Sequence, residues 1–250
     1  GLADDGVAVF NADDPWADLW RSQSAHCQRL CFSLDGQADV SGTCRAHGLE
    51  NHATLVVGSE RIDVDLALPG RHNVRNALGA ATAALAAGIS LAAIKQGLTN
   101  FRGIKGRLQR RAGAHGAQLL DDTYNANPDS VRAGIDVLAA TVGRKILVLG
   151  DMGEIGAMTG QFHDEVGGYA KSQGIDRLLA FGESSVLAAR NFGAGGEHFR
   201  QIEELVSALL AELTPDTVVL IKGSRFMRME RVIDAIAATR EQTLEKNTCC

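Results

Sequence analysis

The sequence predicts an α/β protein whose second half forms a Rossmann-like domain with a mostly parallel sheet. Short runs that are apolar throughout alternate there with segments of helical periodicity, which is typical of parallel strands buried on both faces. The composition agrees, because 45% hydrophobic and 22% charged residues are usual for globular proteins. A length of 250 residues allows one large domain or two ordinary ones.

The first half of the chain places its strands before its helices. Apolar runs predict strands over residues 7–10 and 30–34. Residues 54–57 and 62–68 predict a hairpin, because apolar and polar side chains alternate in the second run. Two helices follow: an alanine-rich one from residue 73 to 87, and one that is capped by Ser90 and runs to residue 100.

In the second half, strands and helices alternate with regularity. The predicted strands are residues 118–121, 145–149, 177–181 and 217–221, and the predicted helices are residues 128–141, 159–172, 184–191, 202–213 and 227–240. The order of predicted elements changes, from strands before helices to alternating strands and helices, at the glycine-rich segment from Gly103 to Gly106. We therefore expect two domains, residues 1–106 and 107–250.

Charge and hydropathy disfavour several classes of protein. The 25 Lys and Arg residues against 30 Asp and Glu give a net charge of −5, which argues against a nucleic-acid binder but allows small anionic substrates. The longest apolar stretch, Ala77 to Ile89, is too short to span a bilayer. Five cysteines without a C-x-x-C pair, the last two being Cys249 and Cys250, indicate a reduced cytoplasmic protein, and no Cys/His cluster has metal-ligand spacing.

The ends of the predicted strands are where we expect function, since parallel sheets bind ligands at the carboxyl ends of their strands. The first such end carries the hydrogen-bonding residues Asp122, Tyr124, Asn125 and Asn127. A helix cap explains Asn127 and the proline after it. The acidic residues of this segment could bind ribose hydroxyls or a cation.

Three further strand ends offer candidate binding residues. The loop from Gly150 to Gly156 carries Asp151 and Glu154, although a plain glycine-rich loop explains it equally well. Glu183 and Ser184 follow the next strand. After the last strand, the segment with Lys222, Ser224 and Arg225 is predicted to open a helix and form an anion site, the alternative being a solvated helix start.

Two candidates lie outside this sheet. Asn73 and Asn76 share one face of the first turn of the alanine-rich helix, where their amides could read an adenine edge or simply cap the helix. Arg107, between the two halves, could reach a phosphate.

Five strings in order resemble the Mur ligases of peptidoglycan synthesis, over nearly the whole chain. They are Leu-Pro-Gly-Arg-His-Asn-Val-Arg-Asn (68–76), Gly-Arg-Leu (106–108), Asp-Asp-Thr-Tyr-Asn-Ala-Asn-Pro-Asp-Ser (121–130), Leu-Gly-Asp-Met-Gly-Glu-Ile-Gly (149–156) and Lys-Gly-Ser-Arg (222–225). Within the family, the strings are most similar to the members that add D-alanyl-D-alanine to a UDP-N-acetylmuramoyl-tripeptide.

The resemblance implies an ATP-dependent amide ligase that works through an acyl phosphate. Asn73 and Asn76 would contact the adenine region, and Arg107 would be the catalytic residue that reaches the terminal phosphates. Asp122 would hold the ribose, in a pocket shaped by Tyr124, Asn125 and Asn127. The acceptor side would comprise Asp151, Glu154, Glu183, Ser184, Lys222, Ser224 and Arg225, with Lys222 and Arg225 facing the dipeptide carboxylate.

One departure from the family limits this expectation. The family's P-loop, G-x-x-x-x-G-K-[ST], does not occur in the sequence, and the Mg²⁺ ligands would also lie upstream. Because this P-loop is missing, we expect the chain to be the later part of a central domain plus a complete C-terminal domain, inactive by itself. The alternatives are a non-catalytic nucleotide- or dipeptide-binding module and a folylpolyglutamate-type ligase.

Overall fold

A computed structural model describes residues 1–47 and 49–237, with the side chains of residues 46 and 47 left out. The chain divides into two compact units, with the first ending at Arg102 and the second beginning at Gly103. This division and the predicted one after residue 106 lie on either side of the same glycine-rich segment.

The first unit is built on a five-stranded mixed sheet. Its strands are β1 (Val7–Asn11), β2 (Gln28–Ser33), β3 (Val40–His47), β4 (Glu50–Val57) and β5 (Glu60–Leu66), in spatial order β1-β2-β3-β4-β5. The first three run parallel, whereas β3, β4 and β5 form an antiparallel meander. The predicted hairpin is therefore confirmed as β4 and β5.

Helices of the first unit supply the other half of its core. They are α1 (Ala17–Gln23), α2 (Arg71–Ala86) and α3 (Leu91–Asn100). Val74, Leu78 and Ala81 of α2 are fully buried against Leu55 and Val64 of the sheet. The predicted cap of α3 is confirmed, since the Ser90 hydroxyl accepts a hydrogen bond from the Ala93 amide.

The second unit contains a six-stranded sheet, of which five neighbouring strands are parallel. Its strands are β6 (Gln109–Ala112), β7 (Gln118–Asp122), β8 (Arg144–Gly150), β9 (Arg177–Phe181), β10 (Gly196–Phe199) and β11 (Thr217–Lys222), in spatial order β10-β9-β8-β11-β7-β6. Only β6 is antiparallel to its neighbour. Because β11 lies between β7 and β8, the strand order reverses at β11, and a crevice opens at such a reversal.

Helices cover both faces of this sheet. They are α4 (Pro128–Ala139), α5 (Thr159–Ser172), α6 (Val186–Phe192), α7 (Ile202–Glu212) and α8 (Glu230–Ile236). On one face, α7 and α8 share a core with alternate strand residues such as Leu119, Val219 and Ile221. On the other face, Gly134 of α4 lies directly over Leu220. Burial on both sides explains why these strands are apolar throughout.

Three elements were not predicted, and one prediction was wrong. The sequence did not indicate α1, β3 or β10, because these are short or polar. The predicted helix from residue 227 begins only at Glu230, after a single 3₁₀ turn over Arg225–Met227 and a left-handed residue, Arg228. The segment with Lys222 and Ser224 therefore does not open a helix. The predicted end at residue 240 lies outside the described residues.

Candidate functional site

The carboxyl ends of β7 and β11 are joined by a buried ion pair. Lys222 and Asp122 are register partners on these two strands, and the Lys222 Nζ donates to Asp122 Oδ2 over 2.6 Å. The same ammonium donates to the main-chain oxygen of Asn125 over 2.9 Å. Only 3% of the Lys222 side chain and 13% of that of Asp122 are exposed, so this pair is shielded from solvent. Removing either charge of such a pair would leave the other one buried without a partner, which destabilises the fold.

The segment around Arg107 is fastened to the same strand end. The Leu108 amide donates to Asp122 Oδ1 over 3.2 Å, and the Tyr124 amide donates to the Gly106 oxygen over 3.0 Å. The Arg107 guanidinium stacks on the Tyr124 ring at 4.3 Å from its centroid. Both side chains are exposed, so an aromatic face and a cation lie together beside the carboxyl end of β7.

The rest of the segment after β7 is held by its own side chains. Asn127 is the N-cap of α4 and forms a capping box with Ser130, so its predicted cap role is confirmed. Asn125 is exposed, and its side-chain oxygen accepts from the Ala126 amide. Asp121, which is fully buried, accepts from the backbone and hydroxyl of Thr123.

Ser224 connects three of the strand-end loops. Its hydroxyl donates to the Ala126 oxygen over 3.1 Å and accepts from the Gly153 amide over 2.7 Å. Its own amide donates to the main-chain oxygen of Asp151 over 3.0 Å. The loops after β7, β8 and β11 therefore form one hydrogen-bonded rim.

Asp151 organises the rim on its other side. Its carboxylate accepts hydrogen bonds from the amides of Glu183, Ser184 and Ser185 at 2.7 to 3.2 Å. A carboxylate that caps three consecutive amides fixes the loop that presents Glu183 and Ser184. The exposed candidates Glu154 and Arg225 flank this rim, and Arg225 lies 3.5 Å from Glu230.

His163 supports the rim from beneath and is fully buried. Its Nε2 accepts from the Met152 amide over 2.9 Å, and its Nδ1 lies 2.7 Å from the Thr159 oxygen. Acceptance at one nitrogen and donation at the other define a neutral imidazole. Among the described residues, no group of three or more His, Cys, Asp or Glu could hold a metal ion.

In the first unit, Asn73 and Asn76 lie in the first turn and a half of α2, as predicted. Asn73 Nδ2 donates to the Pro69 oxygen over 2.7 Å, and Asn76 Nδ2 lies 3.4 Å from Asn73 Oδ1. Asn51, a buried residue of β4, holds the same loop by donating to the oxygens of Leu68 and Gly70. Sequence reasoning missed Asn51, because a lone asparagine in a strand carries no signal.

Sequence reasoning also missed a polar cluster at the carboxyl ends of β1 and β2. Asp13 accepts from the Ser33 hydroxyl and from the Leu34 amide, and its Oδ2 lies 3.9 Å from Arg75 Nε. Asp35 pairs with Arg71 and Arg75 of α2. The signal available was an acidic residue close behind each of two predicted strands: Asp13 follows the strand over residues 7–10, and Asp35 follows the strand over residues 30–34.

Two models of one protein family match this chain. The Mur ligase middle domain matches residues 1–84, and the Mur ligase glutamate ligase domain matches residues 106–225. The chain belongs to the Mur ligase family. The resemblance carried by the five strings is thereby confirmed, as is the expected α/β fold with a Rossmann-like second domain.

Individual relatives refine this placement. The UDP-N-acetylmuramoyl-tripeptide--D-alanyl-D-alanine ligase of Escherichia coli (strain K12) is 40% identical over 243 residues, which cover 94% of this chain and 53% of that protein. The crystal structure of MurF from Acinetobacter baumannii superimposes with a TM-score of 0.84 at 31% identity, covering 93% of this chain and 52% of that one. The chain thus spans about half the length of the curated relatives it matches.

A third comparison concerns the fold. A MurF ligase from Thermotoga maritima, solved in complex with ADP, has a TM-score of 0.80 at 23% identity and covers 98% of this chain and 55% of that one. It shares the architecture of this Mur ligase chain.

Proposed function

We propose that this Mur ligase chain is the nucleotide- and acceptor-binding part of an ATP-dependent ligase that joins D-alanyl-D-alanine to a UDP-N-acetylmuramoyl-tripeptide in peptidoglycan synthesis. The observation that carries the proposal is the rim at the strand reversal. There, Asp122, the exposed Arg107 and the loops at residues 151–154, 183–185 and 222–225 meet at the carboxyl ends of β7, β8, β9 and β11. The 40% identical relative carries this activity in its name.

The nucleotide side of the proposal starts from the Asp122 carboxylate. Asp122 would accept from the ribose, because each carboxylate oxygen keeps a second lone pair after its internal hydrogen bond. Tyr124, Asn125 and Asn127 would shape that pocket, and Asn73 and Asn76 would contact the adenine. These groups fit ATP, because the exposed Arg107 beside Asp122 supplies the cation that terminal phosphates need.

The acceptor side is assigned to the loops after β8, β9 and β11. Asp151 acts through the amides it caps, which leaves Glu183 and Ser184 presented to the crevice. Arg225 is the exposed cation that suits the dipeptide carboxylate. Ser224 precedes it in the sequence, and Glu154 follows Gly153, whose amide donates to the Ser224 hydroxyl. Lys222 was also expected to face this carboxylate, but its ammonium is buried.

The chemistry of the proposal needs positioning and charge neutralisation. The γ-phosphoryl group of ATP passes to the terminal carboxylate of the tripeptide and leaves ADP. The amine of D-alanyl-D-alanine then attacks the acyl carbon, an amide forms, and inorganic phosphate departs. Arg107 would stabilise the negative charge on the transferred group.

The remaining expectations extend this proposal. Mg²⁺ would accompany ATP, with ligands from sequence outside this chain, and the ligase would act in the cytoplasm. None of the helices in residues 1–47 and 49–237 is long and apolar enough to cross a membrane.

The test is ADP formation by the full-length ligase and by the 250-residue chain. We expect the full-length protein to form ADP only when tripeptide nucleotide and D-alanyl-D-alanine are both present, and the 250-residue chain to form none. Arg107→Ala should lower kcat by about a hundred- to a thousandfold, because it removes a charge that stabilises the transition state. The control Arg190→Ala, an exposed arginine of α6, should keep the wild-type rate.

Three results would contradict the proposal. ADP formation by the 250-residue chain would show that this chain does not need further sequence for activity. ADP formation driven by glutamate on a folate would favour the folylpolyglutamate alternative. Nucleotide or dipeptide binding by the full-length protein without turnover would favour the non-catalytic module.

A further inference from the structure

Lys222 has two partners within the protein and no exposed surface to offer a substrate. Its ammonium donates to Asp122 Oδ2 and to the Asn125 oxygen, and only 3% of its side chain is exposed. Removing one member of a buried ion pair leaves the other charge unpaired. The effect of Lys222 on any ligand must therefore pass through Asp122 and through the loop that contains Asn125.

Asp122 passes this constraint to the backbone on one side of Arg107. Its second oxygen accepts from the Leu108 amide, and Leu108 has a φ of +50°, which a residue with a Cβ adopts only when its surroundings impose it. On the other side of Arg107, the Gly106 oxygen accepts from the Tyr124 amide. Both neighbours of Arg107 are thus bound to the strand end that Lys222 fixes.

The second partner of Lys222 constrains the side chain of Arg107. Asn125, whose main-chain oxygen accepts from Lys222, directly follows Tyr124 in the sequence. The Tyr124 ring is the surface on which the Arg107 guanidinium stacks. The buried ammonium of Lys222 therefore constrains both the backbone next to Arg107 and the Tyr124 ring on which Arg107 stacks.

We propose that Lys222 is a positioning residue for Arg107, which it holds ready through Asp122 and the Tyr124–Asn125 loop, and that it is not a ligand of the acceptor carboxylate. The consequence of this arrangement for catalysis rests on the proposed function. The arrangement itself is a property of the second unit.

The structural part of the proposal is tested by the NMR resonance of the Arg107 side-chain Nε–H in the 250-residue chain, assigned by its loss in Arg107→Lys. A proton above an aromatic ring is shifted upfield, so this resonance should lie upfield of those of the other arginines. In Lys222→Met it should move back into their range. It should stay in place in the control Lys171→Met, whose ammonium also donates to a main-chain oxygen and lies over a ring.

A second variant covers the case in which Lys222→Met does not fold. Lys222→Met combined with Asp122→Leu removes both buried charges, and with them the acceptor of the Leu108 amide. It should keep the amide spectrum of the sheet and still lose the upfield shift. An unmoved Arg107 resonance in either folded variant would overturn the proposal.

The kinetic part is measured in the full-length ligase. Lys222→Met should lower kcat by roughly ten- to a hundredfold, because a misplaced charge stabilises the transition state poorly, and should leave the KM for D-alanyl-D-alanine within about twofold. Combining it with Asp122→Leu should cost less than the sum of the two single effects, since the two residues share the Lys222–Asp122 contact. A raised KM with unchanged kcat in Lys222→Met would instead show direct contact with the acceptor. If the wild-type protein has no ligase activity, the proposed function fails and the NMR result still decides the positioning role.

Discussion

Strand-end carboxylates of this protein divide into two kinds according to what occupies their oxygens. Asp151 gives its oxygens to three amides of one loop, so its part is to shape that loop. Asp122 gives one oxygen to an ammonium and one to an amide, so its part is to join two segments. Asp13 is of the second kind, because it connects the ends of β1 and β2 to Arg75 of α2.

Asp13 should make the stability of the first unit sensitive to acid. Burial alone would raise the pKa of Asp13, but hydrogen bonds from Ser33, Leu34 and Asp35 and the charge of Arg75 outweigh it and hold the pKa below its ordinary value of 3.8. A carboxyl with a lowered folded-state pKa stabilises the fold at pH values above its unfolded pKa. That contribution is lost as the pH falls through the folded-state pKa.

We therefore expect the melting temperature of the first unit to fall below about pH 4, and to fall less steeply in Asp13→Asn. Tryptophan fluorescence reports on this unit alone, because Trp16 and Trp20 are the two tryptophans of the chain. Asp18→Asn, an exposed acid on α1, is the control and should follow the wild type. Parallel melting curves for wild type and Asp13→Asn would contradict the prediction.

At the scale of elements, α5 and α6 approach each other at glycines. A Cβ built on Gly167 of α5 would lie 2.1 Å from the Ala188 oxygen of α6, closer than any real contact. The helical pattern of α5 was predicted correctly, since its bounds at Thr159 and Ser172 are those observed. Its sequence did not reveal which of its glycines faces a neighbouring backbone.

Two glycine substitutions should therefore have opposite effects. Gly167→Ala should lower the free energy of unfolding by about 1–3 kcal/mol or more, because α6 must move. Gly97→Ala in α3 meets nothing within 4 Å and should raise it by up to about 1 kcal/mol, since alanine favours the helix. Urea unfolding followed by circular dichroism measures both, and equal effects would show that the close approach at Gly167 does not matter.

For the whole molecule, each of the two compact units has a hydrophobic core of its own. The first core joins α2 and α3 to strands of the first sheet, and the second joins α7 and α8 to strands of the second. Between them, residues 101–105 lie outside any helix or strand, and Arg102 and Lys105 are exposed. Neither core contains a residue of this connection.

Limited trypsin digestion should consequently cut first after Arg102 and Lys105. Exposed backbone without regular structure is the preferred site of nicking. Mass spectrometry of early products should show two fragments that meet at this connection, while Arg144 and Arg177, which lie in strands, remain uncut. Early cleavage inside either sheet would contradict the division into two units.

The sequence by itself determined the alternation of strands and helices, the capping residues and the family. It did so because buried parallel strands must be apolar throughout, and because Ser90 and Asn127 satisfy helix amides locally. Elements such as β3 and β10 escaped, since their pairing, and not their own residues, makes them strands.

Only the tertiary structure decided which strand ends share a site and what each polar side chain does there. Asp122 and Lys222 are 100 residues apart and meet because β11 inserts between β7 and β8. That insertion buries the ammonium predicted to face a substrate and leaves Arg107 and Arg225 exposed. Burial and partnership depend on contacts distant in sequence, which local pattern does not encode.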